Sequence, residues 1–367
     1  MTPPVGRRMY LDVLRGLAVL VMIEAHVIDS WTGAADRASA GFGWSLILGG
    51  FGAPLFLFLA GMTVALSAAS KARKLGDDRA AASVVQRRGV EIFLLAFLFR
   101  LQASVLSGSP AYTLLKVDIL NIMGPAIFAT ALLWGLASSA RVRLVVFAMT
   151  TAAIAFATPI VRAFGWLALL PDPLEGYIRP VPGLTNFSIF PWAAFVPAGA
   201  VAGVLIDCAR TAAQERRLNW RFAIAGASLA MAAYAASFLP TPYARSDFWT
   251  SSPSFFFLRT GLMTFVIALA YAWEQRPGAA RKWSGLRLLG QTSLFIYWIH
   301  VEMVYGLIST PLHRSMTLAQ AWGALALFCL FMLLLATLKV RVANWWRGAG
   351  WAVAIRGHSA PGAQKQA

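Results

Sequence analysis

The chain has 367 residues, of which 59% are hydrophobic and 13% are charged, and its mean hydropathy is +0.65. Since about a quarter of the residues of a soluble globular domain are charged, this composition excludes an ordinary soluble protein. The formal net charge of +17 suggests a nucleic-acid partner at first sight.

Apolar residues fall in runs of roughly 20, long enough to cross a hydrocarbon core of about 30 Å as a helix. We predict ten spans, at residues 9–29, 44–69, 87–106, 117–137, 143–163, 186–206, 222–239, 255–274, 288–309 and 318–339. Backbone groups in hydrocarbon must bond within the chain, so these spans should be α-helices. The sequence thus predicts an all-α polytopic membrane protein with a single transmembrane domain over 9–341, a short N-terminus (1–8) and a tail (342–367).

The basic residues are distributed unevenly between the predicted loops. With the N-terminus in the cytosol, the inside segments hold 23 of the 32 Lys and Arg residues and the outside segments hold eight, while Arg15 lies within the first span. This asymmetry follows the positive-inside rule and places both termini in the cytosol. The basicity is therefore explained by topology, and no nucleic-acid partner is expected.

The first span, "MYLDVLRGLAVLVMIEAHVID", carries ionisable residues that cost at least ~2.5–3.5 kcal/mol each near a helix centre. Their spacing of three and four places them in one stripe with two apolar residues. The stripe comprises Asp12, Arg15, Val19, Met22, His26 and Asp29. Arg15 and His26 lie about 16 Å apart along the axis, with Arg15 nearer the cytosol. The stripe predicts a helix that lines an internal cavity, while Glu24 points to the opposite side without an assigned role.

A plainer interpretation of this stripe stays open. Asp12 and Arg15 are spaced to form an i,i+3 ion pair at the inner interface, and His26 would then be merely interfacial.

Two other spans carry candidate site residues. The ninth span places His300 and Glu302 near the depth of His26, without the histidine spacing of a zincin helix, and we expect no metal. Structural packing of His300 is as plausible as catalysis. The fourth span places Asp118 and Asn121 at i,i+3 towards the outer end, where Asp118 is equally suited to cap the helix.

The outside segment "YARSDFWTSSPSFFF" combines aromatic rings with hydrogen-bonding groups, as a sugar-binding surface does. Its candidate substrate-binding residues are Arg245, Asp247, Trp249 and Ser251. An aromatic belt at the membrane interface is the alternative.

The chain resembles the transmembrane acyltransferase superfamily. "YLDVLRGLAVLVMIEAH" is similar to the Leu-Asp-x-x-Arg-Gly opening and the Arg-ten residues-His signature of the acyltransferase-3 branch, and "GAPLFLFLAGMT" resembles the superfamily's second span. "VDILNIMG", "PGLTNFSIFPWAAFVPAGAVAGVLI" and "WTSSPSFFFLRTG" look more like the heparan-α-glucosaminide N-acetyltransferase catalytic domain and its bacterial relatives. "LGQTSLFIYWIH" is similar to the last part of both branches. The glucosaminide branch has its proposed active histidine after the first span, but 29–43 contains none, so His26 is the nearest candidate.

The resemblance implies a membrane acyltransferase that moves an acyl group, with acetyl expected, from cytosolic acetyl-CoA or another acyl-CoA to an extracytoplasmic acceptor. That acceptor would be a glycan or a small amine or alcohol. Arg15, with Asp12 beside it, would bind the donor. His26 would take the acceptor's proton, and Asp29 or Glu302 would orient its ring. The basic inner loops could hold nucleotide phosphates, although topology alone explains them.

The implied location is the bacterial plasma membrane, with multiple spans in the lipid bilayer. A proton- or solute-coupled transporter that uses the polar stripe stays open as an alternative, as does a binding protein without chemistry. The sequence leaves open O- or N-acylation, an acyl-enzyme or direct transfer, and the oligomeric state.

Overall fold

The computed structural model describes residues 8–107, 110–276 and 284–348. Within them the chain forms α-helices and short 3-10 turns, with no strand beyond two isolated β-bridges. The helices are α1 (Met9–Trp31), α2 (Ala40–Gly49), α3 (Gly52–Leu75), α4 (Asp78–Ser107), α5 (Ile119–Leu136), α6 (Ala140–Ala163), α7 (Asp172–Ile178), α8 (Ile189–Trp192), α9 (Phe195–Cys208), α10 (Ala212–Ala236), α11 (Pro253–Glu274), α12 (Gly285–Gln291), α13 (Ser293–Tyr305) and α14 (Leu318–Gly348). The prediction of an all-α protein is confirmed for the described residues.

Six helical segments of the described chain are long and apolar enough to cross a membrane. They are Ala40–Leu75, Ile119–Leu136, Ala140–Ala163, Ile189–Cys208, Pro253–Glu274 and Leu318–Trp346. Ten spans and cytosolic termini therefore stay predictions. Helix α1 is long enough, but its apolar run is interrupted by ionisable residues. The predicted span 288–309 is wrong as a single helix, because α12 ends at Gln291 and α13 begins at Ser293.

Helix α1 occupies the centre of the bundle, in contact with α2, α3, α11, α12, α13 and α14. Its first half packs Leu14 and Ala18 into one hydrophobic cluster, and its second half packs Val19, Ile23 and Val27 into another. All five side chains are at most 1% exposed. Helix α1 therefore joins the two cores, which explains why it is apolar between its ionisable residues.

Two glycines bring the backbones of α1 and α12 into direct contact. A Cβ on Gly16 would lie 1.9 Å from the Leu286 carbonyl oxygen, and one on Gly290 would lie 2.0 Å from the Asp12 carbonyl oxygen. Small residues permit this close approach between membrane helices. Helix α13 then continues beside α1, where the Ser30 hydroxyl donates a hydrogen bond of 3.2 Å to the Val304 carbonyl. The two helices consequently run parallel at the level of His26.

Replacing Gly290 with alanine tests this backbone contact. A methyl group 2.0 Å from a carbonyl oxygen forces α1 and α12 apart, and we expect a loss of about 1–3 kcal/mol in stability. Thermal unfolding of the purified protein in detergent measures the loss. Gly323→Ala in α14 is the matched control, since nothing lies within 4 Å of its added Cβ. A Gly290→Ala variant as stable as Gly323→Ala would contradict the packing described.

Candidate active site

His26 and His300 form the centre of the candidate active site. Nδ1 of His26 lies 2.8 Å from Nε2 of His300, and the two rings are nearly parallel, at 4°. His300 is completely buried, whereas His26 is half-buried and retains some accessible surface. The structure thus brings together two histidines that are 274 positions apart in sequence.

The direction of this hydrogen bond follows from a third group. Nδ1 of His300 lies 2.8 Å from the Ile296 carbonyl oxygen, one turn earlier in α13. A carbonyl only accepts, so Nδ1 of His300 carries the proton, and Nε2 of the neutral ring is an acceptor. Nδ1 of His26 must then donate to it. The remaining nitrogen of His26, Nε2, is left with a free lone pair, which is the arrangement of a general base.

Tyrosines and carboxylates surround the histidine pair. The rings of Tyr305 and Tyr297 stand edge-on to His26 and His300, with centroids 5.5 and 5.9 Å away. Asp29 pairs with Arg37 at 2.8 Å rather than with His26, so His300 orients the ring in place of the expected Asp29 or Glu302.

Glu302 lies two residues after His300 on α13, and its side chain forms no contact with the histidine pair among those the structure describes. Its Oε1 is buried without a hydrogen-bond partner among the described residues, and the charge that acts on it is that of Arg100. The structure therefore separates Glu302 from the pair formed by His26 and His300.

Asp118 caps α5, as the alternative for this residue predicted. Its carboxylate accepts from the Ile119 backbone N–H at 2.9 Å, while Asn121 accepts from the Asp118 backbone N–H at 3.0 Å. Asp118 also pairs with Arg100 at 2.5 Å, and the Asn121 amide donates to the Tyr177 hydroxyl at 3.2 Å. Capping and ion pairing thus account for the positions of both residues.

Arg15 lies at the opposite end of the stripe. It donates to the Thr63 hydroxyl at 2.6 Å and to Asp12 at 3.2 Å, and the Gln291 amide also donates to Asp12 at 3.2 Å. The predicted i,i+3 ion pair of Asp12 with Arg15 is therefore present. Arg15 also lines a cavity, so it is accessible to a ligand although it is paired with Asp12.

This cavity has a volume of about 470 Å³ and lies between α3, α4 and α5. Arg15, Lys71 and Arg88 contribute cationic groups to it. The rest of the wall is mainly apolar, with Ser293 of α13 at one side. The sequence predicts Lys71 and Arg88 only as basic residues of a cytosolic segment. The signal that could have found them is spacing of three and four: Lys71 follows Thr63 and Ser67 on one face of α3, and Arg88 lies between Val84 and Glu91 on one face of α4.

The outer segment does not converge on His26. Trp249 lines two further cavities with Phe255 and Arg259. The Asp247 carboxylate accepts from the backbone and side chain of Thr250, Ser251 donates back to the Asp247 carbonyl, and Arg245 is exposed. Asp247 and Ser251 therefore shape the turn before α11. Arg259, which the sequence alone does not single out, is the charged residue that lines both cavities.

Comparison with known families identifies the family of this chain. Residues 7–233 match the family described as heparan-alpha-glucosaminide N-acetyltransferase, catalytic. The chain belongs to this family. No match was found among curated proteins. The matched part runs from the start of α1 into α10 and includes Arg15 and His26, whereas His300 lies beyond it.

Membership makes the protein a membrane acetyltransferase by type and a transferase by class. The family uses acetyl-CoA as its donor. A transporter is not favoured. The match supports the resemblance to the glucosaminide branch, while the acyltransferase-3 signature of the first span stays an interpretation of Arg15 and His26.

Proposed function

We propose that the protein transfers an acetyl group from acetyl-CoA to an acceptor hydroxyl or amine, with Nε2 of His26 as the general base. The observation that carries this proposal is the hydrogen-bonded chain from the Ile296 carbonyl through His300 to His26. It supplies a histidine with a defined tautomer and an unused lone pair. A buried ring held by a second group is the arrangement by which proton-transfer catalysts are oriented.

The cavity beside Arg15 combines the two properties that acetyl-CoA binding needs. Arg15 and Lys71 attract phosphates, Arg88 is paired with Glu91 of the same wall at 2.8 Å, and the apolar part of the wall accepts a flexible arm. Ser293 lies seven residues before His300 on α13, about two turns or 10 Å along the axis. An arm that enters beside Arg15 and follows this face of α13 therefore leads towards the histidine pair.

The proposed reaction balances without a further reactant. As the acceptor oxygen or nitrogen attacks the thioester carbonyl, its proton passes to Nε2 of His26. The C–S bond then breaks, and the departing CoA sulfur takes that proton from His26. The products are the acetylated acceptor and CoA thiol. The alternative route begins with attack of the same His26 lone pair on the thioester, which forms an acetyl-His26 intermediate. Labelled acetyl-CoA supplied without an acceptor distinguishes the two routes, since only the route through acetyl-His26 labels the protein.

The acceptor is proposed to reach His26 from the extracytoplasmic side of a bacterial inner membrane, as a glycan or a small amine or alcohol. Asp118 and Tyr305 lie on that side of His26 in the predicted topology. Residues of the outer segment, Trp249 above all, would guide a larger acceptor towards the bundle.

Substitutions of the two histidines test the general-base mechanism. We expect His26→Ala to lower kcat by about 10²–10⁴-fold, the range of general acid–base catalysis. His300→Ala should lower kcat strongly as well, since His26 loses the acceptor that sets its tautomer. His300→Gln should recover part of the activity, because its amide oxygen can accept the same proton. Transfer from labelled acetyl-CoA in membranes measures all three.

The pH profile separates positioning from a merely structural role of His300. In His300→Ala the profile of kcat should shift, whereas a folding defect lowers the amount of active protein at every pH. Full activity in His26→Ala would remove His26 from the mechanism. Equal activities of His300→Gln and His300→Ala would contradict the proposed hydrogen-bond direction.

Arg15→Gln tests the donor site. Charge-assisted hydrogen bonds contribute about 1.5–3 kcal/mol, so we expect KM for acetyl-CoA to rise by roughly tenfold or more with a smaller change in kcat. Initial rates at varied acetyl-CoA measure this effect. Arg141→Gln is the control, because Arg141 is exposed at the start of α6 and outside the cavity. Equal KM values for the two variants would exclude Arg15 from donor binding.

A further inference from the structure

Arg259 of α11 is a cation held among aromatic rings. Its guanidinium carbon lies 3.9 Å from the ring centre of Phe255 and 5.8 Å from those of Phe51 and Trp192. Its Nε is buried, and no described residue forms a hydrogen bond or an ion pair with the side chain. Arg259 as a whole is half-buried, and an anion at its guanidinium would satisfy the buried Nε and compensate the charge.

Two cavities meet at this arginine. One, of about 430 Å³, lies along α2 and is lined mainly by apolar side chains, including Leu46 and Ile47. The other, of about 210 Å³, presents polar groups such as Asn186 and Ser252. Trp249, Phe255 and Arg259 line both. An apolar groove and a polar chamber thus adjoin one cation.

The neighbouring arginine does not compete for this role. Arg162 also lines the smaller cavity, but its Nε and one terminal nitrogen donate to the Phe190 carbonyl at 3.2 Å each. The charge of Asp247 acts on Arg162 as well. Among the described residues of the two cavities, Arg259 is therefore the cation without a partner.

The region is separate from the histidine pair. Arg259 lies against the turn between α2 and α3. A Cβ added to Gly50 in this turn would lie 3.2 Å from a terminal nitrogen of Arg259. The preceding Gly49 faces Glu24 and Ala25 of α1. His26 points the other way, towards α13, so α1 stands between the two regions.

We propose that this region binds a lipid through its phosphate headgroup. The phosphate lies on the guanidinium of Arg259, which offers paired N–H donors in the geometry that phosphate accepts. The hydrocarbon chain lies in the groove along α2, and the polar remainder of the headgroup occupies the smaller cavity. This site is separate from the histidine pair, and it shares Trp249 with the outer segment that is proposed to guide a larger acceptor.

The outer rim of the groove favours a lipid over a soluble anion. Trp44, Leu46 and Ile47 of α2 are 70%, 47% and 36% exposed, and α2 belongs to a helical segment apolar enough for a membrane. A soluble anion would have no use for an apolar groove that opens on this face. An amphiphile satisfies the cation and covers the apolar wall at the same time.

Gly43→Leu provides a variant that obstructs the groove without touching Arg259. Gly43 lines the groove, and a Cβ added there meets nothing within 4 Å. Leucine also favours a helix more than glycine does, so α2 should remain folded. Gly323→Leu in α14 is its matched control, with equally open space at the added Cβ. Arg245→Gln serves as the control for Arg259→Gln, because Arg245 is an exposed arginine of the preceding segment.

The experiment measures binding of dioleoyl phosphatidylglycerol to the purified full chain in detergent by native mass spectrometry, with dioleoylglycerol as the phosphate-free probe. Wild type should retain phosphatidylglycerol and not dioleoylglycerol. Arg259→Gln and Gly43→Leu should each weaken retention at least tenfold, and the two controls should match wild type. If thermal unfolding shows that Arg259→Gln is not folded, the comparison of Gly43→Leu with Gly323→Leu decides the result.

Two results would overturn the proposal. The first is wild-type retention of phosphatidylglycerol by folded Gly43→Leu or Arg259→Gln. The second is a pair of observations with inorganic phosphate. At equal concentration it displaces phosphatidylglycerol from wild type, and it binds Gly43→Leu as tightly as wild type. The site would then serve a soluble anion.

Discussion

The backbone contact between α1 and the α12–α13 pair determines the rest of the structure. Gly16 and Gly290 allow the backbones of α1 and α12 to touch, and no larger residue fits at either position. Once α12 is seated there, α13 continues parallel to α1, which brings His300 opposite His26. The same central position of α1 joins two hydrophobic clusters that would otherwise be separate. The candidate active site is therefore a consequence of how closely two backbones approach.

Polar groups along α1 show how a costly helix is accommodated. Asp12, Arg15, His26 and Asp29 each have a polar partner from the surrounding structure: Gln291, Thr63, His300 and Arg37. Buried polar groups that are fully paired also have defined orientations, as the direction of the histidine bond illustrates. Glu24 differs, since both carboxylate oxygens are buried without a partner among the described residues. It lies against Gly49, on the side of α1 that faces away from His26.

Much of the fold was predictable from residue patterns, and the site was predictable in part. Apolar runs indicated helices in the right places, because the length and hydropathy of a span are local properties. The stripe on α1 marked Arg15 and His26, and His300 was placed at a similar depth. The break between α12 and α13 was missed, because one short polar stretch, Gln291 to Ser293, does not by itself interrupt a predicted span. Asp29 and Glu302 were expected to orient His26, but Asp29 pairs with Arg37, and Glu302 has a buried oxygen without a hydrogen-bond partner among the described residues.

The sequence by itself determined that this is an all-α membrane protein with ionisable residues on one face of its first helix. Composition and periodicity suffice for that, since they depend only on residues close together in the chain. Tertiary structure alone decided which partner each polar group has. The tautomer of His26 depends on a carbonyl in α13. Arg259 lies among aromatic rings from three separate segments and has no counter-ion within the part of the chain that the structure describes. Hydrogen-bond direction and charge compensation are properties of distant residues brought together, so no local pattern records them.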